Sequence, residues 1–346
     1  MTALPLPSTV AILRFSSLGD IVLTSGAVET LSKAWPSARL LYVTKPAYRD
    51  LMAHHPAISE VVTFLPNESV WQLRQRLASL GVTHVLDLQG KLRGFFLRHL
   101  VSKKRRACWQ QRPWYQSLSV RLGMGVYHAH MPIAWRYHQA VERLVGNPLP
   151  KSALRYYVSP EDKEKALELL APLGSLDKRP LIGLCPGALW ETKRWPYFSE
   201  LAESLLRQGY ALVLTGSSNE RHLTQGIVER AQGALDVAGK VSLGVLAGVI
   251  AHCQVFVAND SGPMHVSRAL AIPTVTFFGS TDPGQFDFSG HELLNTGLRC
   301  APCSLHGLAR CPQHHFRCMR DSTPELALAA VNRLLARNTP SPYVFA

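Results

Sequence analysis

Four polar residues, Asn259, Asp260, Ser261 and Gly262, follow the apolar run Val255–Ala258 and precede a helix-like stretch, Met264–Leu270. Pro263 falls in the first helical turn, where the missing N–H costs nothing. A helix N-terminus behind a strand has free backbone N–H groups and the positive end of the dipole, so it suits an anion such as phosphate. Asp260 and Ser261 could equally do no more than cap the helix. A second unit of this kind lies near the start, where VAILRF leads into Ser16, Ser17, Leu18, Gly19 and Asp20 and then a helix-like run. A third group is Cys300, Cys303, Cys311 and Cys318, spaced C-x2-C-x7-C-x6-C over 19 residues. Four thiolates suit a tetrahedral structural metal, zinc before iron, and His314 or His315 could replace a ligand. Free thiols packing a loop, or a labile disulfide, are the other readings.

The elements that must position these groups alternate along the chain. Strand-like runs at 10–15, 39–44, 61–64 and 84–88 are separated by helix-like segments at 21–35, 46–54 and 70–80. The rhythm returns with strands at 181–187, 211–217, 255–258 and 274–279, and helices at 220–232, 244–253 and 324–337. Such alternation predicts parallel sheets covered by helices on both faces. We read 1–158 as a first Rossmann-like domain, 159–179 as a connection with a charged amphipathic helix, and 180–322 as a second Rossmann-like domain holding the cysteine segment. A C-terminal helix and tail fill 323–346. The expected architecture is α/β, two doubly wound domains facing a central cleft.

With 47% hydrophobic and 18% charged residues, 346 residues can bury two cores. No run is long enough to span a bilayer, and the first residues lack the pattern of a secretory signal, so a cytoplasmic location is expected. The formal charge of +13 is concentrated. Between Asp87 and Glu142 there is no acid, but ten lysines and arginines, among them Lys91, Arg93, Arg98 and the run Lys103–Arg106. That imbalance calls for an anionic partner: nucleic acid, a membrane surface or a phosphorylated substrate. Phe95, Phe96, Trp109, Trp114 and Tyr115 are interleaved with the charges, as at a lipid headgroup layer or in a core.

Five motifs in order, ILRFSSLGDIVLT, DLQGKLRG, LCPGALWETKRWP, LTGSSNE, and NDSGPMHVSRAL with FFGSTDP, resemble glycosyltransferase family 9, the ADP-heptose:lipopolysaccharide heptosyltransferases. The resemblance implies a GT-B fold with an acceptor domain first and a nucleotide-sugar domain second. It implies an inverting transfer of heptose from ADP-heptose to the inner core of a lipid A-linked acceptor. By the same resemblance, Asp20 is the general base and Lys193 the diphosphate-binding lysine. Ser16, Ser17, Gly187, Arg194, Glu220, Val241, Asp260, Ser261, Gly262 and His265 belong to the donor site. Lys91, Arg93 and Arg98 would bind the phosphorylated, lipid-linked saccharide. The chemistry asks for such residues, because displacing a nucleoside diphosphate needs a base for the hydroxyl and positive charge for the leaving group. Asp20 could instead be a charge favoured by the helix dipole, and Lys193 an exposed helix-entry residue.

No divalent cation is expected to be needed for catalysis. The expected site of work is the cytoplasmic face of the inner membrane, with the protein held peripherally on its anionic surface. Two other enzyme readings keep the fold: a different nucleotide-sugar, or epimerisation. A basic, metal-containing nucleic-acid-binding protein is the reading from another class. It leaves Asp20, Lys193 and Asp260 unexplained and shows no nucleic-acid motif, so no nucleic-acid partner is expected.

Overall fold

The structure is a computed structural model that describes residues 8–100, 105–109, 131–176 and 179–337. The described residues fall into two compact units, one ending at Tyr157 and the other running from Val158. Lys103, Lys104, Arg112, Trp114, Tyr115 and Arg121 of the basic stretch lie outside the described residues.

The first unit is built on a parallel sheet of five strands: β1 (Thr9–Leu13), β2 (Arg39–Thr44), β3 (Glu60–Thr63), β4 (His84–Asp87) and β5 (Arg106–Cys108). Their order is β3-β2-β1-β4-β5, with Val10 opposite both Leu40 and His84. Every residue of β1 is buried, as expected of a central strand covered on both faces. One face packs Ala11, Leu13, Val43 and Val85 against Leu73, Leu77 and Leu97.

The run expected as one helix over 21–35 is two, Leu18–Leu23 and Ser25–Ala34. The break is at Thr24, whose hydroxyl bonds back to the Ile21 carbonyl at 2.6 Å and meets the Tyr42 hydroxyl at 2.7 Å. Such back-bonding competes with the helical ladder. The helices Leu92–Arg98 and Ile133–Val145 and the short strand β5 were not legible in the acid-free stretch.

The second unit has a parallel sheet of six strands: β6 (Leu181–Cys185), β7 (Ala211–Leu214), β8 (Leu235–Asp236), β9 (Val255–Asn259), β10 (Thr274–Phe278) and β11 (Glu292–Asn295). The order is β11-β10-β9-β6-β7-β8. Trp195 stacks on Phe277 with ring centres 4.1 Å apart inside this core. The helix Leu243–Ala251 is apolar all round and buried, and the helix Pro160–Leu170 covers it. A methyl group on Gly248 would lie 2.8 Å from Ala166 Cβ and from the Asp162 carbonyl, so the amphipathic helix expected in the connection packs within this unit.

In each sheet the chain reverses its direction of progress once, between β1 and β4 in the first and between β6 and β9 in the second. The crevice outside the carboxyl ends of two such strands is where open α/β sheets bind ligands.

Candidate active site

In the first unit, the loops after β1 and β4 carry the polar residues. Asp20 lies in the first turn of the helix Leu18–Leu23, capped by Ser17. Its Oδ2 accepts from the Ser17 N–H at 3.1 Å and from the Ser17 hydroxyl at 2.9 Å, and lies 2.6 Å from Arg14 NH2. Burial pushes the Asp20 carboxyl up, but Arg14 and the Ser17 donors override this and hold it below the ordinary carboxylate range. The side chain retains 31% exposure, which leaves room for a reacting hydroxyl.

Beside it opens a cavity of about 700 Å3 lined by Phe15, Ser16, Lys45, Gln89, Gly90, Lys91, Leu92, Arg93, Phe95 and Arg98. Among the described residues, four cations and no acid line it, so an anion is its natural occupant. The three expected acceptor residues therefore do come together, with Lys45 as an addition. Lys91 is the N-cap of the helix Leu92–Arg98, while Arg93 lies over the Phe64 ring at 5.2 Å. Arg98 NH1 stands 3.8 Å from the buried carboxylate of Asp87, at the end of β4. Burial raises the Asp87 carboxyl, and the Gly90 and Gln89 N–H groups and Arg98 offset this only in part. Gly94 lets the helix pass over it, because any Cβ there would lie 2.5 Å from both Asp87 oxygens.

Of the expected donor residues, Ser16 and Ser17 lie in the first unit beside Asp20, while the others fall in the second, after the ends of β6, β7, β8 and β9. Lys193 closes a 3-10 turn, Glu191–Lys193, and its Nζ lies 2.6 Å from Asp260 Oδ2. The Thr281 hydroxyl donates to the same oxygen at 2.7 Å. Burial pushes the Asp260 carboxyl up, and Lys193 and Thr281 bring it below its ordinary value.

Ser261 is the N-cap of the helix Gly262–Ala269 but makes no side-chain cap bond, so the first-turn N–H groups are not taken by it. His265, on this helix, packs its ring against Phe286 at 4.7 Å. Asn259 ties the loops together: its Oδ1 accepts from the Trp195 N–H at 3.0 Å and its Nδ2 donates to the Pro186 carbonyl at 2.8 Å.

Gly187 meets Glu220 directly, since a Cβ at Gly187 would lie 2.3 Å from the Glu220 carboxyl carbon. Glu220 is held there by the Ser217 N–H and hydroxyl at 2.8 and 2.7 Å. Val241 is half-buried just before the helix Leu243–Ala251, on a loop whose Gly239 backs onto Ser218. Arg194 is directed to the Ala188 carbonyl at 2.9 Å and toward Glu191.

Known proteins resemble this chain in sequence and in fold. The family model of glycosyltransferase family 9 (heptosyltransferase) matches residues 70–306, more than half of the chain. The chain belongs to glycosyltransferase family 9. It is 30% identical over 318 residues to lipopolysaccharide heptosyltransferase 1 of Pseudomonas aeruginosa, covering 85% of each chain. A family 9 glycosyltransferase structure from Veillonella parvula superposes with a TM-score of 0.80 at 21% identity, over 97% of this chain and 99% of that one. The ADP-heptose lps heptosyltransferase II of E. coli gives 0.73 at 23% identity, over 95% and 99%. The fold of this glycosyltransferase is accordingly GT-B.

The cysteine segment of the family 9 chain packs against the loops that carry Lys193 and Thr281: the Leu308 N–H donates to the Thr192 hydroxyl at 2.8 Å and the Ser304 N–H to the Ser280 carbonyl at 2.8 Å. Cys300, Cys303, Cys311 and Cys318 line one cavity of about 690 Å3 together with Trp190 and His315. Cys300 Sγ is 3.7 Å from His315 Nε2. His314 and Phe316 take left-handed backbone angles, φ 56° and 53°, at this turn. Among the described residues, no three His, Cys, Asp or Glu side chains are close enough together to hold a metal ion, and none of the seven cysteines is in a disulfide.

Sequence reasoning missed Arg14, Lys45, Asn259 and Thr281 as parts of the two sites. Arg14 left one signal, a lone charge in the apolar run VAILRF, and Lys45 another, its place directly after a strand.

Proposed function

We propose that this glycosyltransferase transfers heptose from ADP-heptose, with inversion, to the inner core of lipopolysaccharide on a lipid A-linked acceptor. The observation that carries the reading is the cluster of Gly187, Glu220, Lys193 and Asp260 around the β6/β9 reversal, where a nucleotide is expected to bind. The heptosyltransferases of P. aeruginosa and E. coli named above support the choice of sugar and acceptor.

The acceptor oxygen attacks the anomeric carbon as the bond to the diphosphate breaks, and the bonding pair leaves with ADP. The hydroxyl proton passes to Asp20. Lys193 and the N–H groups opening the helix Gly262–Ala269 offset the charge that builds on the diphosphate. These groups supply the positive charge, so no divalent cation is required for the step. The anionic parts of the acceptor are held by Lys45, Lys91, Arg93 and Arg98.

Purified protein mixed with ADP-heptose and lipid A-linked acceptor should release ADP, and the rate should survive EDTA. Release from UDP- or GDP-sugars and not from ADP-heptose would overturn the reading of the donor.

The exposed Leu92, Phe95 and Phe96 stand beside Lys91 and Arg93, which supports peripheral binding to the anionic cytoplasmic face of the inner membrane. Among the described residues, no helix is long and apolar enough to cross a membrane. Flotation with anionic vesicles, lost in Leu92→Ser/Phe96→Ser, tests this.

The four cysteines, which line one cavity, further support a structural zinc, or iron. Metal analysis of the protein against Cys303→Ser tests it, and near-zero metal in both removes the site.

A further inference from the structure

Arg14 follows the last residue of β1 and is 6% exposed, an uncommon place for a guanidinium. Each of its terminal nitrogens has one partner: NH1 donates to the Leu88 carbonyl at 2.7 Å and NH2 reaches Asp20 Oδ2 at 2.6 Å. The rings of Trp109 and Tyr137, themselves 5.1 Å apart, cover it from one side, with centres 5.9 and 5.7 Å from Cζ. A buried planar fork bonded at both terminal nitrogens has little freedom, so the two bonds fix the Asp20 side chain relative to the end of β4. From that end, Gln89, Gly90 and Lys91 continue into the lining of the basic cavity. Gln89 also accepts from the Phe15 N–H at 2.9 Å, a second tie between the two loops.

The three donors on Asp20 all go to one oxygen. Oδ2 takes the Ser17 N–H, the Ser17 hydroxyl and Arg14, while Oδ1 has no partner among the described residues. We propose that Arg14 is a positioning residue that saturates Oδ2 with Ser17 and holds Oδ1 as the atom that receives the acceptor proton. The inference rests on the reading of Asp20 as the base. In the transfer, the hydroxyl O–H bond breaks, its oxygen bonds to the anomeric carbon, the proton goes to Oδ1 and the electron pair of the old bond leaves with the diphosphate. A carboxylate so strongly stabilised takes the proton late, once the attacking oxygen has begun to bond and become acidic. The other titratable groups that bear on the pair are Tyr42, from β2, and Tyr137, from the helix Ile133–Val145.

The test compares Arg14→Met, Arg14→Lys and Asp20→Asn in the full chain, with kcat followed against pH. Arg14→Met should lower kcat at least about tenfold and move the acid limb of the profile upward by about one unit or more. Arg14→Lys keeps the charge but has one nitrogen for two arms, so it should restore the limb and only part of kcat. KM for the ADP-sugar should stay within about twofold in both, since the two partners of Arg14, Leu88 and Asp20, belong to the first unit. If Arg14→Met melts without a cooperative transition, the lysine variant decides, and a wild-type kcat in Arg14→Lys overturns the proposal. An acid limb that stays in place in a folded Arg14→Met also overturns it. Retention of the full rate by Asp20→Asn is the separate result that removes the base reading itself.

Discussion

Lys193 Nζ and Asp260 Oδ2 are 2.6 Å apart, with only 15% and 8% of their side chains exposed. The lysine expected to grip the diphosphate thus has a resident anionic partner, which aims it at the loop before the helix Gly262–Ala269. Thr281 completes the arrangement from the loop after β10.

Breaking such a pair leaves a buried charge uncompensated. Lys193→Met should cost about 3 kcal/mol of stability, and the double variant Lys193→Met/Asp260→Asn less than the sum of the two single changes. Urea denaturation measures both. ADP affinity should fall in every variant that lacks the lysine, including a double variant that recovers stability.

The lowered Asp20 and Asp260 carboxyls set the direction of acid sensitivity. Their folded-state values lie below those of the unfolded chain, so the unfolded chain binds protons first as pH falls. The stability they contribute is present above the ordinary carboxylate value of 3.8 and is lost as pH drops through the folded values. Urea midpoints measured from pH 7 down to about 3 should decline below about pH 4, and Asp260→Asn should make that decline shallower.

Gly187→Ala places a methyl group onto the Glu220 carboxyl. Glu220 must then leave its two Ser217 donors. Calorimetry should show ADP affinity reduced by about tenfold or more, with far-ultraviolet circular dichroism unchanged.

The basic cavity of the first unit implies a salt-dependent acceptor. Lys45→Ala, Lys91→Ala and Arg93→Ala should each raise KM for the acceptor by several-fold, and the wild-type value should itself rise with salt as charges are screened beyond about 8 Å. KM for the donor serves as the internal control and should move little.

Much of this protein was legible without coordinates. Central strands such as Val10–Leu13 and Val255–Ala258 are buried on both faces and so read as unbroken apolar runs. The turns that follow them carry Asp20 and Asp260 because parallel strands present their carboxyl ends to ligands. The edge strands Arg106–Cys108, Leu235–Asp236 and Glu292–Asn295 escaped notice, since two to four partly exposed residues carry too little pattern to stand out.

The order of elements and the residue types in each turn were therefore written in the chain, because hydrophobic periodicity and turn chemistry are local. What only the tertiary structure decided is which groups from distant loops meet. Arg14 with Leu88, Lys193 with Asp260 and Thr281, and Glu220 with Gly187 join loops that follow different strands. An ion pair depends on position in three dimensions, and the register and order of parallel strands, fixed by the packing of whole sheets, determine which loop ends become neighbours.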